Sequence, residues 1–162
     1  MLRKSQVALE FLTTYAWAFL VITIMIGALY YFGIVDVGNI LPDKCTFGSE
    51  FGCIDYYIDG GDPGNDVFQI KLKNNVGEPI DVTTVTLTND QGDDLGCTST
   101  TGTGTWGSGI TMDIKSTGCD LGAAGLIVDN KEKVLVTVMY HLAKSDSTYV
   151  HDARGEVYAT VQ

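Results

Sequence analysis

Phe11-Leu12-Thr13-Thr14-Tyr15-Ala16-Trp17-Ala18-Phe19-Leu20-Val21-Ile22-Thr23-Ile24-Met25-Ile26-Gly27-Ala28-Leu29-Tyr30-Tyr31-Phe32-Gly33-Ile34-Val35 is a run of twenty-five uncharged residues between Glu10 and Asp36, and twelve of them are Leu, Ile, Val or Phe. As a helix it would be about 37 Å long, enough to cross a hydrocarbon layer of about 30 Å with some tilt. Its twelve large apolar side chains favour insertion by about 4–7 kcal/mol in total. The run has no proline, and Gly27 and Gly33 are its only weak helix formers, so the pattern predicts a helix rather than a strand.

The flanks give this segment a direction. Arg3 and Lys4 precede it, whereas Asp36 and Asp43 follow it, so the positive-inside bias holds the N-terminus in the cytoplasm and sends residues 36–162 outside. An ordinary cleaved secretory signal is disfavoured. The apolar run exceeds a 7–15-residue signal core, and Asp36-Val37-Gly38-Asn39 offers no small-x-small cleavage site. An exterior location is oxidising, which makes disulfides the preferred reading for Cys45, Cys53, Cys97 and Cys119.

Whole-chain composition hides this division. The 162 residues are 45% hydrophobic yet carry a formal net charge of −10. Between Gln6 and Val35, 23 of 30 residues are hydrophobic; from Asp36 onward the count is 48 of 127, with 19 acids against 8 bases. An intrinsically disordered chain and a multi-span membrane protein both fit this profile badly. The acidic balance, with a pI near 4.3, also argues against a nucleic-acid surface.

Glu10 is the unusual residue of the apolar segment, with Val7, Ala8 and Leu9 before it and Phe11 and Leu12 after it. One reading places it at the headgroup level, where a carboxylate costs little. Its neighbours support another. A short basic leader, Met1-Leu2-Arg3-Lys4-Ser5, is followed by Gln6-x-x-x-Glu10-Phe11 and then the long apolar run. This arrangement resembles the class III signal peptide of archaeal type IV pilin-like proteins. The resemblance covers about thirty residues and departs from the family at Ser5, where glycine is more common. It implies cleavage by a prepilin-type peptidase between Ser5 and Gln6, with the helix retained and Glu10 becoming the fifth residue of the mature chain.

In such a filament the apolar helices bundle at the centre. A neighbouring subunit's N-terminal amine would then compensate Glu10 and set the axial register. The expected organisation is a basic leader over 1–5, a hydrophobic helix over 6–38 that serves as membrane anchor and filament core, and an external domain over 39–162.

The external domain reads as strands. Phe68, Ile70 and Leu72 share a face, as do Ile110, Met112 and Ile114. So do Val134, Val136, Val138 and Tyr140, and likewise Val157, Ala159 and Val161. A phase slip between Val82 and Val85 predicts a bulge. The expected fold class is α+β, a long N-terminal helix followed by an all-β sandwich, which the pilin resemblance makes immunoglobulin-like. Tyr56 and Tyr57 are candidates for packing on the helix end or in the core.

Four cysteines allow three connectivities. The favoured pairs are Cys45–Cys53 and Cys97–Cys119, the second closing a 23-residue loop around a Thr- and Gly-rich stretch, Thr98–Gly107. That stretch is expected to be a pinned flexible loop with Trp106 exposed. O-glycosylation or surface contact is the alternative, and no Asn-x-Ser/Thr sequon exists.

The sequence has no P-loop, dinucleotide-binding glycine motif, His-Glu-x-x-His or nucleophile elbow, and only two histidines. Matching Val134 with Ala159 and Val136 with Val157 puts His141 and His151 on opposite faces, which disfavours a joint metal site. The acidic turn from Asp59 to Asp66 lacks the spaced ligands of an EF-hand and is expected to be solvated.

The function expected is a structural subunit that polymerises through its helix into an extracellular filament for adhesion or cell contact, without a cofactor. Its partners would be identical subunits, the prepilin-type peptidase and a membrane assembly platform driven by a cytoplasmic ATPase. Before assembly it would sit in the cytoplasmic membrane. The alternatives are a single-pass anchored binding protein that does not polymerise, and an archaellum subunit.

Overall fold

The structure, a computed structural model, describes residues 3–32 and 41–162, the first eight of these as backbone only. The chain divides into two units, Met1–Leu41 and Pro42–Gln162.

Among its described residues the first unit contains one helix, α1 (Arg3–Tyr31). Its 29 residues make a rod of about 43 Å. It begins three residues before the expected start, and Phe32 adds one more bond by donating its N–H to the Ala28 carbonyl at 3.0 Å. The expected continuation over 33–38 lies outside the described residues. Within the rod, Phe11 and Tyr15 stack one turn apart with centroids 4.5 Å from each other, and Thr23 Oγ1 donates to the Phe19 carbonyl at 2.8 Å. The hydroxyl therefore has an internal partner, as a threonine in an apolar helix requires.

The second unit is made of nine antiparallel strands in two sheets. They are β1 (Lys44–Phe47), β2 (Phe51–Asp59), β3 (Asp66–Asn74), β4 (Ile80–Asn89), β5 (Ser99–Thr101), β6 (Gly104–Trp106), β7 (Thr111–Cys119), β8 (Lys131–Leu142) and β9 (His151–Thr160). One sheet has the order β1-β9-β8-β4-β6 and the other β2-β3-β7-β5. Alternation does what the sequence leads one to expect. Phe68, Ile70 and Leu72 of β3 and Val134, Val136 and Val138 of β8 are fully buried, facing the opposite sheet. The predicted slip in β4 is a register shift between Val82 and Thr84. Ile110 departs from expectation: it precedes β7 in a turn closed by its own N–H to the Gly107 carbonyl, and it is exposed.

An aromatic cluster joins the two layers. The ring of Phe51 on β2 meets Trp106 of β6 and Tyr140 of β8 edge-on, at 5.7 Å and 5.5 Å, and Phe47 of β1 at 6.3 Å. Such edge-to-face pairs contribute beyond their buried area. Phe47 also lies over Gly155 of β9, where the ring occupies the space that a Cβ would need.

Trp106 corrects the sequence reading, because it is fully buried and not exposed. Its Nε1 donates to the Gly102 carbonyl at 2.8 Å, so its polar edge is also satisfied. The Thr-rich stretch is accordingly no flexible loop. β5 pairs with β7 in one sheet and β6 with β4 in the other, and the chain crosses between sheets at Gly102 and Thr103. Gly102 has φ +95°, and a side chain there would strike the Asp113 carbonyl at 2.6 Å. Only glycine suits that crossing.

The β8–β9 register is a second correction. Val134 pairs with Val157 and Tyr140 with His151, two residues from the expected match. A shift of two keeps every side chain on its face, so the inference about the histidines survives.

Buried polar side chains hold the loops. Asn74 donates through Nδ2 to the carbonyls of Glu78, Trp106 and Gly107 and accepts from the Val76 N–H. Asn89 donates to the Ala124 carbonyl and accepts from the N–H groups of Gln91 and Asp93. With its own core and two internal disulfides, the sandwich has what an independent folding unit requires.

Candidate functional site

The feature that most needs a partner is α1. Every described side chain from Phe11 to Phe32 is exposed, including Trp17 at 70%, Phe19 at 73% and Tyr31 at 85%. The 21 residues Phe11–Tyr31 are long and apolar enough to cross a membrane. Monomeric soluble proteins rarely leave so large an apolar surface uncovered. An uncovered rod of this kind is stable only in lipid or against other apolar surfaces.

Aromatic residues flank the membrane-length segment Phe11–Tyr31, a signal that the sequence carried and that hydrophobicity alone did not reveal. Phe11 and Tyr15 lie near its start and Tyr30 and Tyr31 at its end, whereas Trp17 sits at the midpoint of α1 with Phe19 just beyond it. Tyr15 and Tyr31 are separated by about 24 Å of helix. Tyr and Trp favour membrane–water boundaries because an amphipathic ring gains from both phases.

The N-terminal residues singled out from the sequence belong to the same helix. Ser5, Gln6 and Glu10 all have helical backbone, so the Ser5–Gln6 bond lies within α1. Gln6 and Glu10, four apart, fall on one face of the helix.

The four cysteines lie in the sandwich and none is free. Cys45 of β1 is bonded to Cys53 of β2, which joins the two sheets. Cys97 is bonded to Cys119 at the end of β7. These are the pairs favoured in the sequence reading.

Other candidates come apart under the geometry. His151 lies against Tyr140, with centroids 5.5 Å apart, whereas His141 Nδ1 lies 3.2 Å from the Leu142 carbonyl. Among the described residues no group of three His, Cys, Asp or Glu side chains could hold a metal ion. The Asp59–Asp66 turn is not simply solvated. Asp66 is buried, and its two oxygens accept the N–H groups of Asp62 and Leu121, both at 2.9 Å. That carboxylate acts as a loop clamp. Tyr56 packs against the core, and burial, then Asp43 and Asp55, push its hydroxyl pKa up. Tyr57 is exposed.

Among the described residues the ion pairs lie mostly at the surface, Lys131 being the most buried partner at 15% exposure. Glu156 of β9 lies 3.4 Å from Lys44 of β1 and 3.3 Å from Lys133 of β8, and the hydrogen bonds from Lys133 and Lys44 hold its carboxyl below the usual carboxylate range. Lys131 lies 3.0 Å from Asp43 where the chain enters the sandwich. Asp146 is also lowered, first by the Thr148 backbone N–H. Tyr140 is raised, mainly by burial. These groups organise loops and strand edges and do not converge on a reaction centre.

No protein-family model and no curated protein matches the chain. Among solved structures, the crystal structure of the periplasmic chaperone SfaE is similar over 74% of this chain and 57% of that one, with a TM-score of 0.43 and 12% identity. A likeness at this level says nothing of partners or activity. The chain is an α+β protein, one apolar N-terminal helix followed by antiparallel strands in two sheets.

Proposed function

We propose that this chain is a structural filament subunit of the type IV pilin kind, anchored in the cytoplasmic membrane by α1 before assembly and packed through α1 into the filament core afterwards. The observation that carries the reading is the contrast within one chain between an apolar helix with no cover and a sandwich closed around its own core. The exposed rod supplies the assembly surface, and the acidic sandwich supplies a solvated sheath. In this reading the sandwich is immunoglobulin-like, the basic leader is removed between Ser5 and Gln6 by a prepilin-type peptidase, and an ATPase-driven platform extracts the helix from lipid. The finished filament serves adhesion or cell contact. The N-terminal pattern Gln6-x-x-x-Glu10-Phe11 favours a pilus over an archaellum.

Glu10 supplies the register. An unpaired carboxylate inside an apolar bundle would be costly, whereas the amine of Gln6 on the next subunit would neutralise it. Mass spectrometry of sheared extracellular material tests the whole reading. A mature chain beginning at Gln6 within filaments is expected; a chain retaining Met1 and confined to the membrane fraction would overturn it in favour of a non-polymerising surface anchor. A Glu10→Ala variant is expected to be processed but to yield few filaments, and wild-type filament abundance would remove the register role.

A further inference from the structure

The outer face of the four-stranded sheet has a depression of about 140 Å³ beside the edge strand β2, lined by Asp55 and Tyr57 of β2, Gln69 and Lys71 of β3 and Asp113 of β7. The register explains the grouping. Asp55 pairs with Lys71 and Lys71 with Asp113, forming one charged row, while Tyr57 pairs with Gln69 in the adjoining row. Residues two apart on a strand share a face, so the phenol ring and the charged row lie side by side. Lys71 Nζ is 3.4 Å from Asp113 Oδ1, and Asp55 Oδ1 accepts the Tyr56 N–H at 2.9 Å. Tyr57 is 41% exposed, in contrast to the buried aromatics on the inner faces of the sandwich.

These groups have complementary uses. The face of an exposed phenol ring is an apolar platform for the C–H face of a pyranose. The Gln69 amide both donates and accepts, the carboxylates accept, and the lysine donates, which together match the mixed character of sugar hydroxyls. Lys115 pairs with Gln69 in the Tyr57 row, so the carboxylates of Asp55 and Asp113 are balanced by two lysines; the face has no net charge to offset the desolvation of a phosphate or uronate, and the central Lys71 opposes a divalent cation. Drug-sized ligands occupy pockets of about 300–1,000 Å³. This smaller depression suits a single ring of a longer chain. We infer that it is a binding site for one unit of a neutral saccharide, with Tyr57 as the stacking platform.

The inference does not depend on polymerisation, so its failure and that of the filament reading are distinguishable. It is tested on the full chain in lauryldimethylamine oxide micelles, a detergent without a sugar headgroup, by two-dimensional amide NMR during titration with maltotriose, laminaritriose and chitotriose, with sodium glucuronate as the anionic comparison. At least one neutral trisaccharide is expected to shift the amides around Asp55–Tyr57, Gln69–Lys71 and Asp113, while glucuronate does not. Tyr57→Ala is expected to weaken that binding about tenfold, the scale of a lost aromatic contact, and Tyr57→Phe to retain it. Tyr149→Ala, at an exposed tyrosine elsewhere, serves as the control and should leave it unchanged. The site is overturned if no neutral sugar shifts these amides, if glucuronate shifts them equally, or if Tyr57→Ala binds as well as wild type.

Discussion

The stem helix and the sandwich solve opposite problems with the same kinds of residue. Trp17 of α1 is 70% exposed, and Trp106 of β6 is fully buried with its Nε1 bonded to a carbonyl. The apolar groups of the sandwich find one another across two sheets, while those of the stem have no such arrangement within their own unit. Apolar content therefore means stability in one region and a demand for surroundings in the other. A single chain can be fully folded in one half and still incomplete without lipid or copies of itself in the other.

Paired tryptophan substitutions test this contrast most severely. Trp106→Ala is expected to cost about 3–5 kcal/mol, by removing a filled core position and the inter-sheet ring contact with Phe51. Trp17→Ala should leave the unfolding of the sandwich unchanged, as followed by urea denaturation of the full chain in detergent. Equal losses would mean that the two regions are not energetically separate.

Disulfides sharpen the comparison within the sandwich itself. Replacing Cys97 and Cys119 by serine opens the longer loop, with a separation of 22 residues, and should cost about 3 kcal/mol in the chain-entropy account. Removing Cys45–Cys53, with a separation of 8, should cost somewhat less, about 2.5 kcal/mol. Neither change should affect membrane insertion, which a carbonate-extraction assay would verify.

Gly155→Ala is smaller but more local. The added methyl group would meet the Phe47 ring, and an expected loss of about 1–3 kcal/mol follows from overpacking. An Ala substitution at Gly27 on the stem, where nothing lies within 4 Å, should not destabilise the sandwich.

The smallest effect concerns pH. The folded-state pKa of Glu156 is lowered by Lys133 and Lys44, so its contribution is present above the unfolded value and is lost as pH falls through the folded one. Because the group is exposed, water and salt screen the pair, and the contribution is about 0.5 kcal/mol. Wild type and Glu156→Gln should differ in denaturation midpoint near neutral pH and converge in acid. A difference that persists below the folded pKa would mean that packing, and not charge, separates them.

Much of the fold was legible because its signals are local. The long apolar, proline-free run marks a helix of membrane length, which α1 forms over Phe11–Tyr31, and the alternation through Phe68, Ile70 and Leu72 marks a strand without knowledge of its partner. The errors arose where distant residues decide. Three-residue strands such as β5 and β6 are too short to display a period, so the crossing between sheets looked like a loop and Trp106 looked exposed. The β8–β9 register is blind to a two-residue slip because both alternatives bury the same side chains. Local turns fix it instead, among them the Ser145 N–H to Leu142 carbonyl bond and the Tyr149 N–H to Asp146 carbonyl bond. Tyr57 stands out in the sequence only as a packing candidate beside Tyr56, because its neighbours Gln69 and Asp113 come from other strands.

The bridge between Cys45 and Cys53 also bears on how the molecule responds to pulling. The chain enters the sandwich at Lys44, one residue before the bridge, on a four-residue strand that sits at a sheet edge. Tension arriving from the stem would otherwise peel that short strand from β9 one hydrogen bond at a time. The covalent link passes the load at once to β2, a nine-residue strand in the opposite sheet, so both layers resist together. A tethered domain built this way would keep its shape under shear, and under reducing conditions it would begin to give way at its attachment point.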